Sequence, residues 1–285
     1  MSALVAADVV YWRNMTRISD TLARTKNEGR LALIAYVTCG FPDPQATPSI
    51  VEALVSGGAD MIELGVPFSD PVADGATIQK ASFRALEAGT TVARCLDIAG
   101  EVRRRANGVP LILMSYANPI LAYGVDAFVN KAAAVGVDGL IVVDLPPEEG
   151  ADLRGQVRDA GLDNVLLVAP GSDDERISLI AAEASGFVYC VSVAGVTGAR
   201  ARLPAGLPEF LARVRRRTSL PLAVGFGVSR PEHLRSLHGL ADAAVVGSAV
   251  VDVIDASSLG EVEARLSDYL RALLRYREAD DGREA

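Results

Sequence analysis

Short apolar runs alternate with longer amphipathic segments along most of the chain. The short runs are rich in Val, Ile and Leu, as is typical of strands that are buried on both faces. Eight such runs lie at residues 31–38, 61–65, 110–114, 139–143, 165–168, 187–191, 222–225 and 243–246. The pattern therefore predicts eight strands.

The segments between these runs carry apolar residues at helical spacing. They predict helices at 46–56, 127–134, 148–160, 174–184, 207–217 and 231–237, and an extra helix from Thr16 to Glu28 that closes the floor of the sheet structure. Ser258 is the expected N-cap of the last helix. Its apolar positions are Leu259, Val262, Leu266, Leu270 and Leu273.

A strand followed by a helix, repeated eight times, predicts a parallel sheet that closes into a (β/α)8 TIM barrel. Such a barrel needs about 250 residues, so we expect 1–285 to form a single domain, with 1–15 as an N-terminal extension and 277–285 as a polar tail. An open doubly wound sheet is the alternative. Its dinucleotide fingerprint is missing after the first strand, where residues 37–42 read V-T-C-G-F-P. In the barrel, catalytic residues are expected after the carboxyl ends of the strands.

The overall charge narrows the range of partners. A net charge of −8 argues against nucleic acid or an anionic membrane surface as the ligand. The arginines at 103–105 and 215–217 fall at predicted helix ends, where we expect them to be solvated. No apolar run reaches the roughly 18 residues of a membrane span. The N-terminal segment has no basic region typical of a secretory signal, and three cysteines without CxxC spacing predict reduced thiols in the cytoplasm.

Residues 62–75 read I-E-L-G-V-P-F-S-D-P-V-A-D-G and contain three acidic residues. Because strand side chains alternate, Glu63 faces away from Ile62 and Leu64, which must pack on the surrounding helices. Glu63 is thus predicted to point into the barrel, where burial would raise its pKa and suit it to proton transfer. The alternative is a glutamate that is salt-bridged inside the barrel. Taken alone, Asp70 and Asp74 are typical turn formers in a Pro/Gly-bounded loop.

Glycines also follow the last three predicted strands. They lie in Gly195-Val196-Thr197-Gly198, in Gly225-Phe226-Gly227 and in Gly247-Ser248. Backbone N–H groups at such turns, together with the start of the next helix, favour an anion, and the loops after strands 7 and 8 are the usual phosphate site of this fold. Ordinary strand-to-helix turns explain one such glycine better than they explain three adjacent sets.

The few cationic side chains limit the possible chemistry. The lysines, Lys26, Lys80 and Lys131, all lie in predicted helical segments, which disfavours a Schiff-base mechanism at a strand end. The histidines, His233 and His238, are expected on the surface away from the catalytic rim, which disfavours a histidine-rich metal site. Acid–base chemistry must then fall to carboxylates.

Residues 62–75 resemble, along their whole length, the signature of the tryptophan synthase α chain family. The resemblance extends over roughly 16–276 and includes Y-V-T-C-G at 36–40 and Y-A-N-P-I at 116–120. It implies a TIM barrel of the ribulose-phosphate-binding type. It also implies retro-aldol cleavage of indole-3-glycerol phosphate to indole and glyceraldehyde 3-phosphate, with Glu63 and Asp74 as the catalytic carboxylates.

The same resemblance implies further site residues. Tyr189 would be a third catalytic residue, forming a wall and a hydrogen bond near Glu63, and Tyr36 would contact the substrate. Thr197 would pair with Asp74 when its loop closes, although Val193 departs from the Ser-Arg that some relatives have before this loop. The implied phosphate contacts are Gly198, Phe226, Gly227, Gly247 and Ser248.

The resemblance finally implies a partner. This chain would carry no cofactor and would join a β chain that holds pyridoxal phosphate, in an α2β2 complex contacted through Asp70–Pro71 and Asn118–Pro119. Three alternatives stay open from the residues. These are a stand-alone indole-releasing lyase, a non-catalytic phosphate-binding barrel, and a sugar-phosphate isomerase of histidine biosynthesis, although such isomerases lack the 63–75 pattern.

Overall fold

The computed structural model describes residues 16–192, 203–225 and 227–277. Eight parallel strands close into a barrel in sequence order, each paired with its neighbours and the last with the first. The strands are β1 Ala32–Thr38, β2 Met61–Gly65, β3 Leu111–Ser115, β4 Gly139–Val142, β5 Asp163–Val168, β6 Val188–Val191, β7 Leu222–Gly225 and β8 Ala243–Val246. The predicted (β/α)8 barrel is confirmed, with strand ends shifted by at most two residues.

Helices surround this barrel and also cross its floor. They are α1 Arg17–Asn27, α2 Thr47–Ser56, α3 Ala76–Glu87, α4 Val92–Arg105, α5 Ala117–Tyr123, α6 Val125–Ala134, α7 Ala151–Asp159, α8 Asp174–Glu183, α9 Leu207–Arg215, α10 Pro231–Leu237, α11 Ser248–Asp255 and α12 Val262–Leu274. A 3₁₀ turn, Arg275–Arg277, follows α12. None of the helices within these described ranges has the length and apolar character needed to cross a bilayer.

The predicted extra helix is α1, which seals the amino-terminal end of the barrel. Thr16 caps it through a reciprocal pair, because the Thr16 hydroxyl accepts the Ser19 N–H at 3.2 Å and the Ser19 hydroxyl accepts the Thr16 N–H at 2.8 Å. Ile18 and Leu22 of α1 pack into the same apolar cluster as Met61 of β2. The helix therefore forms the floor that the sequence predicted.

Charged side chains surround this floor in a repeating arrangement. Asp60, Asp138 and Asp242 each precede a strand, and each carboxylate accepts a backbone N–H from the start of the preceding strand. Each also forms an ion pair with an arginine; these arginines are Arg30, Arg103 and Arg215. These three aspartates are thus paired with cations, whereas Asp163, at the start of β5, accepts the Thr16 hydroxyl at 2.7 Å.

Two expectations about helix ends were wrong. Arg103 is only 12% exposed rather than solvated, because its guanidinium turns inward to Asp138 and to the carbonyl of Gly136. The last helix begins at Val262 with Glu261 as its cap, since Ser258 instead accepts backbone N–H groups in the turn before it. Leu259 in that turn is 60% exposed.

Candidate active site

Glu63 lies in the middle of β2 and points into the barrel, as predicted. It pairs in register with Tyr36 of β1 and Ile112 of β3. Met61, two residues earlier on the same face, belongs to the interior apolar cluster, whereas Ile62 and Leu64 pack in the layer beneath the helices. The Glu63 side chain is consequently enclosed, with 1% of its surface exposed.

The surroundings of Glu63 disfavour the ionised form of its carboxyl group. Within the described ranges, its Oε2 atom has no hydrogen-bond partner. Burial, followed by the charge of nearby Asp74, raises the pKa of Glu63 to about 8. Glu63 is therefore protonated at neutral pH and can both donate a proton and take one back, which suits a general acid–base group.

Asp74 occupies the end of the loop between β2 and α3 and is 5% exposed. Its backbone N–H donates to the Pro71 carbonyl, and its own carbonyl accepts the side-chain amide of Gln79 at 2.8 Å. The Tyr116 hydroxyl donates to Asp74 Oδ2 at 3.1 Å. Burial raises the pKa of Asp74 to about 6, against the opposing effect of the Tyr116 hydrogen bond. Asp74 is thus ionised at the pH where Glu63 is neutral.

Asp70 lies in the same loop but in different surroundings. It is exposed, it accepts a hydrogen bond from the Ser69 hydroxyl at 2.5 Å, and its carbonyl accepts the Val72 N–H in a turn. The neighbouring Val72 is 77% exposed. Asp70 therefore lies on the outer surface of the loop, apart from the buried Asp74 that precedes α3.

Two buried tyrosines face the barrel interior near its carboxyl end. The Tyr36 hydroxyl lies 3.3 Å from Thr38 Oγ1. A Cβ atom at Gly65 would lie 2.1 Å from the Tyr36 hydroxyl, and one at Gly225 would lie 2.2 Å from the Tyr189 hydroxyl. The two glycines therefore make room for the two phenol groups. Tyr189 belongs to the interior apolar cluster that includes Met61, and burial, followed by the charge of Glu63, raises its pKa.

The described part of the expected phosphate site lies at β7 and β8. Gly227 has a φ of +101°, which favours glycine at this position. Gly247 is the N-cap of α11, whose first residue, Ser248, is half-buried. The positive end of that helix dipole favours an anion. The other expected contacts, Thr197, Gly198 and Phe226, lie outside the described residues, as do Gly195, Val196 and Val193.

Of the remaining sequence predictions, which concern the lysines and the histidines, some are confirmed and one is wrong. The lysines lie in α1, α3 and α6, as predicted, and His238 is exposed. His233 is 3% exposed, so its predicted place on the surface was wrong. Its Nδ1 atom accepts the Ser229 N–H at 3.2 Å, which satisfies this polar atom in its buried position. Across the ranges that the structure describes, no group of three or more His, Cys, Asp or Glu side chains could hold a metal ion.

Tyr116 is a site residue that the sequence did not assign a role. It is the N-cap of α5 and is 4% exposed, whereas Asn118, two residues later, is exposed. Its hydroxyl contacts Asp74, although 42 residues separate them in sequence. The only available signal was an aromatic hydroxyl directly after β3, at the rim where side chains of this fold meet.

Comparison with known proteins places this geometry in a family. The family model described as tryptophan synthase alpha chain matches residues 22–275. A tryptophan synthase alpha chain of Roseiflexus castenholzii is 49% identical over 91% of this chain and 99% of that relative. A tryptophan synthase structure from Mycobacterium tuberculosis is similar with a TM-score of 0.83 and 37% identity, covering 91% of this chain and 98% of that one. A tryptophan synthase complex from Pyrococcus furiosus gives 0.79 and 40%, over 85% and 97%.

Proposed function

The chain belongs to the tryptophan synthase α chain family, and we propose that its Glu63 and Asp74 perform the family's reaction. That reaction is the lyase step of tryptophan biosynthesis, the retro-aldol cleavage of indole-3-glycerol phosphate to indole and glyceraldehyde 3-phosphate. The observation that carries the assignment is a pair of enclosed carboxyl groups, of which Glu63 has a pKa of about 8 and Asp74 of about 6.

Glu63 acts first as an acid. In its neutral form it delivers a proton to C3 of the indole ring, which turns the ring into a leaving group. The resulting carboxylate then removes the proton of the glycerol hydroxyl next to the scissile bond. As the C–C bond breaks, its electron pair returns to the ring, the hydroxyl carbon becomes the aldehyde, and Glu63 is protonated again.

Asp74 acts as a fixed negative charge. Protonation of C3 leaves a positive charge on the indole nitrogen, and an ionised carboxylate that accepts the indole N–H stabilises it. Asp74 suits this task because it is ionised at neutral pH while Glu63 is not. The two carboxyl groups therefore divide the work according to their protonation states.

The substrate's remaining groups follow from the same placement. We assign the phosphate to the described backbone at Gly227 and Gly247 and to the Ser248 hydroxyl, with Gly198 and Phe226 as further expected contacts. Tyr36 and Tyr189 line the interior beside Glu63 and enclose the indole ring. Thr197 is the expected partner of Asp74 in the loaded enzyme.

The family also defines the assembly. An α chain carries no cofactor of its own and works with a β chain that holds pyridoxal phosphate, in an α2β2 tetramer. We assign contact with that β chain to the exposed Asp70 and Asn118, near the exposed Val72 and Leu121. Three unlinked cysteines, all buried, support a reducing, cytoplasmic setting for the chain.

The assignment is tested with Glu63→Gln in the full chain. The variant keeps the size of the side chain but removes its proton exchange, so we expect indole release to fall by about 10³-fold with little change in the affinity for a glycerol-phosphate analogue. Glu52→Gln is the matched control, because Glu52 is 43% exposed and pairs with Arg105 on the helical layer. Release of indole by Glu63→Gln at the wild-type rate, measured with and without the β chain, contradicts the assignment.

A further inference from the structure

Tyr116 contacts the loop between β2 and α3 at three points. Its ring lies 5.1 Å from that of Phe68 at the start of the loop. Its hydroxyl accepts the Ala73 N–H at 3.0 Å and donates to Asp74 Oδ2 at 3.1 Å near the loop's end. One buried side chain, at the junction of β3 and α5, thus holds both ends of a segment whose middle, at Asp70 and Val72, faces solvent.

The hydroxyl hydrogen has one destination. A tyrosine hydroxyl has a single O–H to donate, and the Ala73 N–H already occupies an acceptor position on the oxygen. The hydrogen therefore points to Asp74 Oδ2. Because the Ala73 N–H also polarises the hydroxyl, donation to the carboxylate is strengthened.

The backbone that carries Tyr116 is itself fixed on both sides. The Ser115 hydroxyl donates to the Tyr116 carbonyl at 3.0 Å, and the next N–H, of Ala117, donates to Asp144 Oδ1 at 2.8 Å. Tyr116 is also 4% exposed, so its ring has no freedom to swing into solvent. These contacts give the hydroxyl a defined position from which to orient a neighbour.

We propose that Tyr116 is a positioning residue for the cleavage reaction, holding Asp74 in its ionised form and aimed at the position of the indole nitrogen. The inference rests on the proposed function, in which Asp74 stabilises the protonated indole ring. Glu63 receives no such donor at Oε2 within the described residues, and the same barrel therefore keeps one carboxyl group neutral and the other charged.

The test is Tyr116→Phe, which removes only the hydroxyl. Loss of a hydrogen bond to a charged group should lower kcat for indole-3-glycerol phosphate cleavage by roughly tenfold or more. A second readout separates positioning from general damage. Because the hydroxyl lowers the pKa of Asp74, its removal should move the acid limb of the kcat/KM profile to higher pH.

Tyr123→Phe is the matched control. Tyr123 ends the same helix α5, where its ring packs against Phe128 at 6.2 Å. It should leave both kcat and the acid limb unchanged. Circular dichroism and thermal melting of both variants establish that they are folded at the assay temperature.

The outcomes are distinct. A lower kcat together with a raised acid limb supports the positioning role. An unchanged kcat, or a loss that is equal at every pH with an unmoved acid limb, overturns it. If Glu63→Gln is inactive while Tyr116→Phe behaves as wild type, only this inference is wrong. If Glu63→Gln is active, the proposed function fails instead.

Discussion

Three aspartates at the amino-terminal end of the barrel and Glu63 nearer the carboxyl end differ in the groups that surround their carboxylates. At the amino-terminal end, Asp60, Asp138 and Asp242 each accept a backbone N–H and pair with an arginine. At the carboxyl end, Glu63 is at least as deeply buried, yet its pKa rises to about 8, with no cation among the causes. Burial alone therefore does not separate a structural acid from a reactive one.

The difference lies in what replaces water around each carboxylate. An arginine and a backbone N–H stabilise the ionised form and connect neighbouring strands. Asp60, Asp138 and Asp242, which we call the floor acids, therefore contribute to the stability of the fold. A carboxyl group without such donors is destabilised as an anion and becomes ready to exchange a proton near neutral pH. Among the described residues, surroundings that disfavour the anion are thus what the proposed role of Glu63 requires.

The largest effect on the fold is expected from Asp138→Asn at the floor. Asp138 is 7% exposed and neutralises Arg103, which is 12% exposed. Its replacement leaves a buried guanidinium without its counter-charge, and we expect the free energy of unfolding to fall by about 3–5 kcal/mol. Urea unfolding measures this change, while kcat at a temperature where the variant is folded should stay close to wild type.

Asp97→Asn is the matched control for that prediction. Asp97 is 55% exposed and lies 3.4 Å from Lys131, so its loss should cost less than about 1 kcal/mol. The contrast between the two ends of the barrel is lost if Asp138→Asn abolishes kcat while its unfolding free energy is unchanged.

A smaller effect is expected when pH changes the two rim carboxyl groups. The proposed mechanism needs Asp74 ionised and Glu63 protonated, so kcat/KM should fall below pH about 6 and above pH about 8. The substrate's phosphate also titrates near pH about 6, so the acid limb is assigned to Asp74 through its displacement in Tyr116→Phe. A flat profile from pH 5 to 9 contradicts the division of roles.

The last effect is a pH-dependent change in the stability of Glu63→Gln relative to wild type. Burial raises the pKa of Glu63 from 4.5 to about 8 on folding. A raised pKa means that the contribution to stability is complete below the unfolded value and is lost as pH rises through the folded value. The Tm of the variant, measured relative to wild type, should therefore be higher at pH 9 than at pH 5.

Differential scanning calorimetry at both pH values measures this Tm difference. Glu52→Gln, at a half-exposed side chain that pairs with Arg105, is the matched control. A Glu63→Gln protein that is equally destabilised at both values would show that Glu63 behaves like the floor acids.

Periodicity predicted most of the fold because it depends on burial. Alternation placed Glu63 inside the barrel and Ile62 under the helices, and the eight apolar runs became the eight strands. Glycine positions likewise indicated Gly247 at the start of a helix. The assignment of Asp74 came from family resemblance, since an isolated aspartate beside proline and glycine predicts only a turn.

The errors share a cause. Each of these side chains interacts with a group that lies far away in sequence or across a turn. Arg103 was expected to be solvated because it ends a helix, but Asp138 lies in reach only after folding. His233 was expected at the surface, yet it accepts the N–H of Ser229. The contact of Tyr116 with Asp74 spans two strands of the barrel, and no local pattern encodes it.

Ile18 and Leu22 close the amino-terminal end of the barrel, so its interior is accessible from the carboxyl end alone among the described residues. Substrate and both products must then enter and leave at the carboxyl end, where Asp70 and Asn118 are exposed. A molecule bound at that end would therefore control the entry of substrate and the release of products. A bound partner protein can receive the aromatic product or retain it in the barrel without contacting any reacting atom.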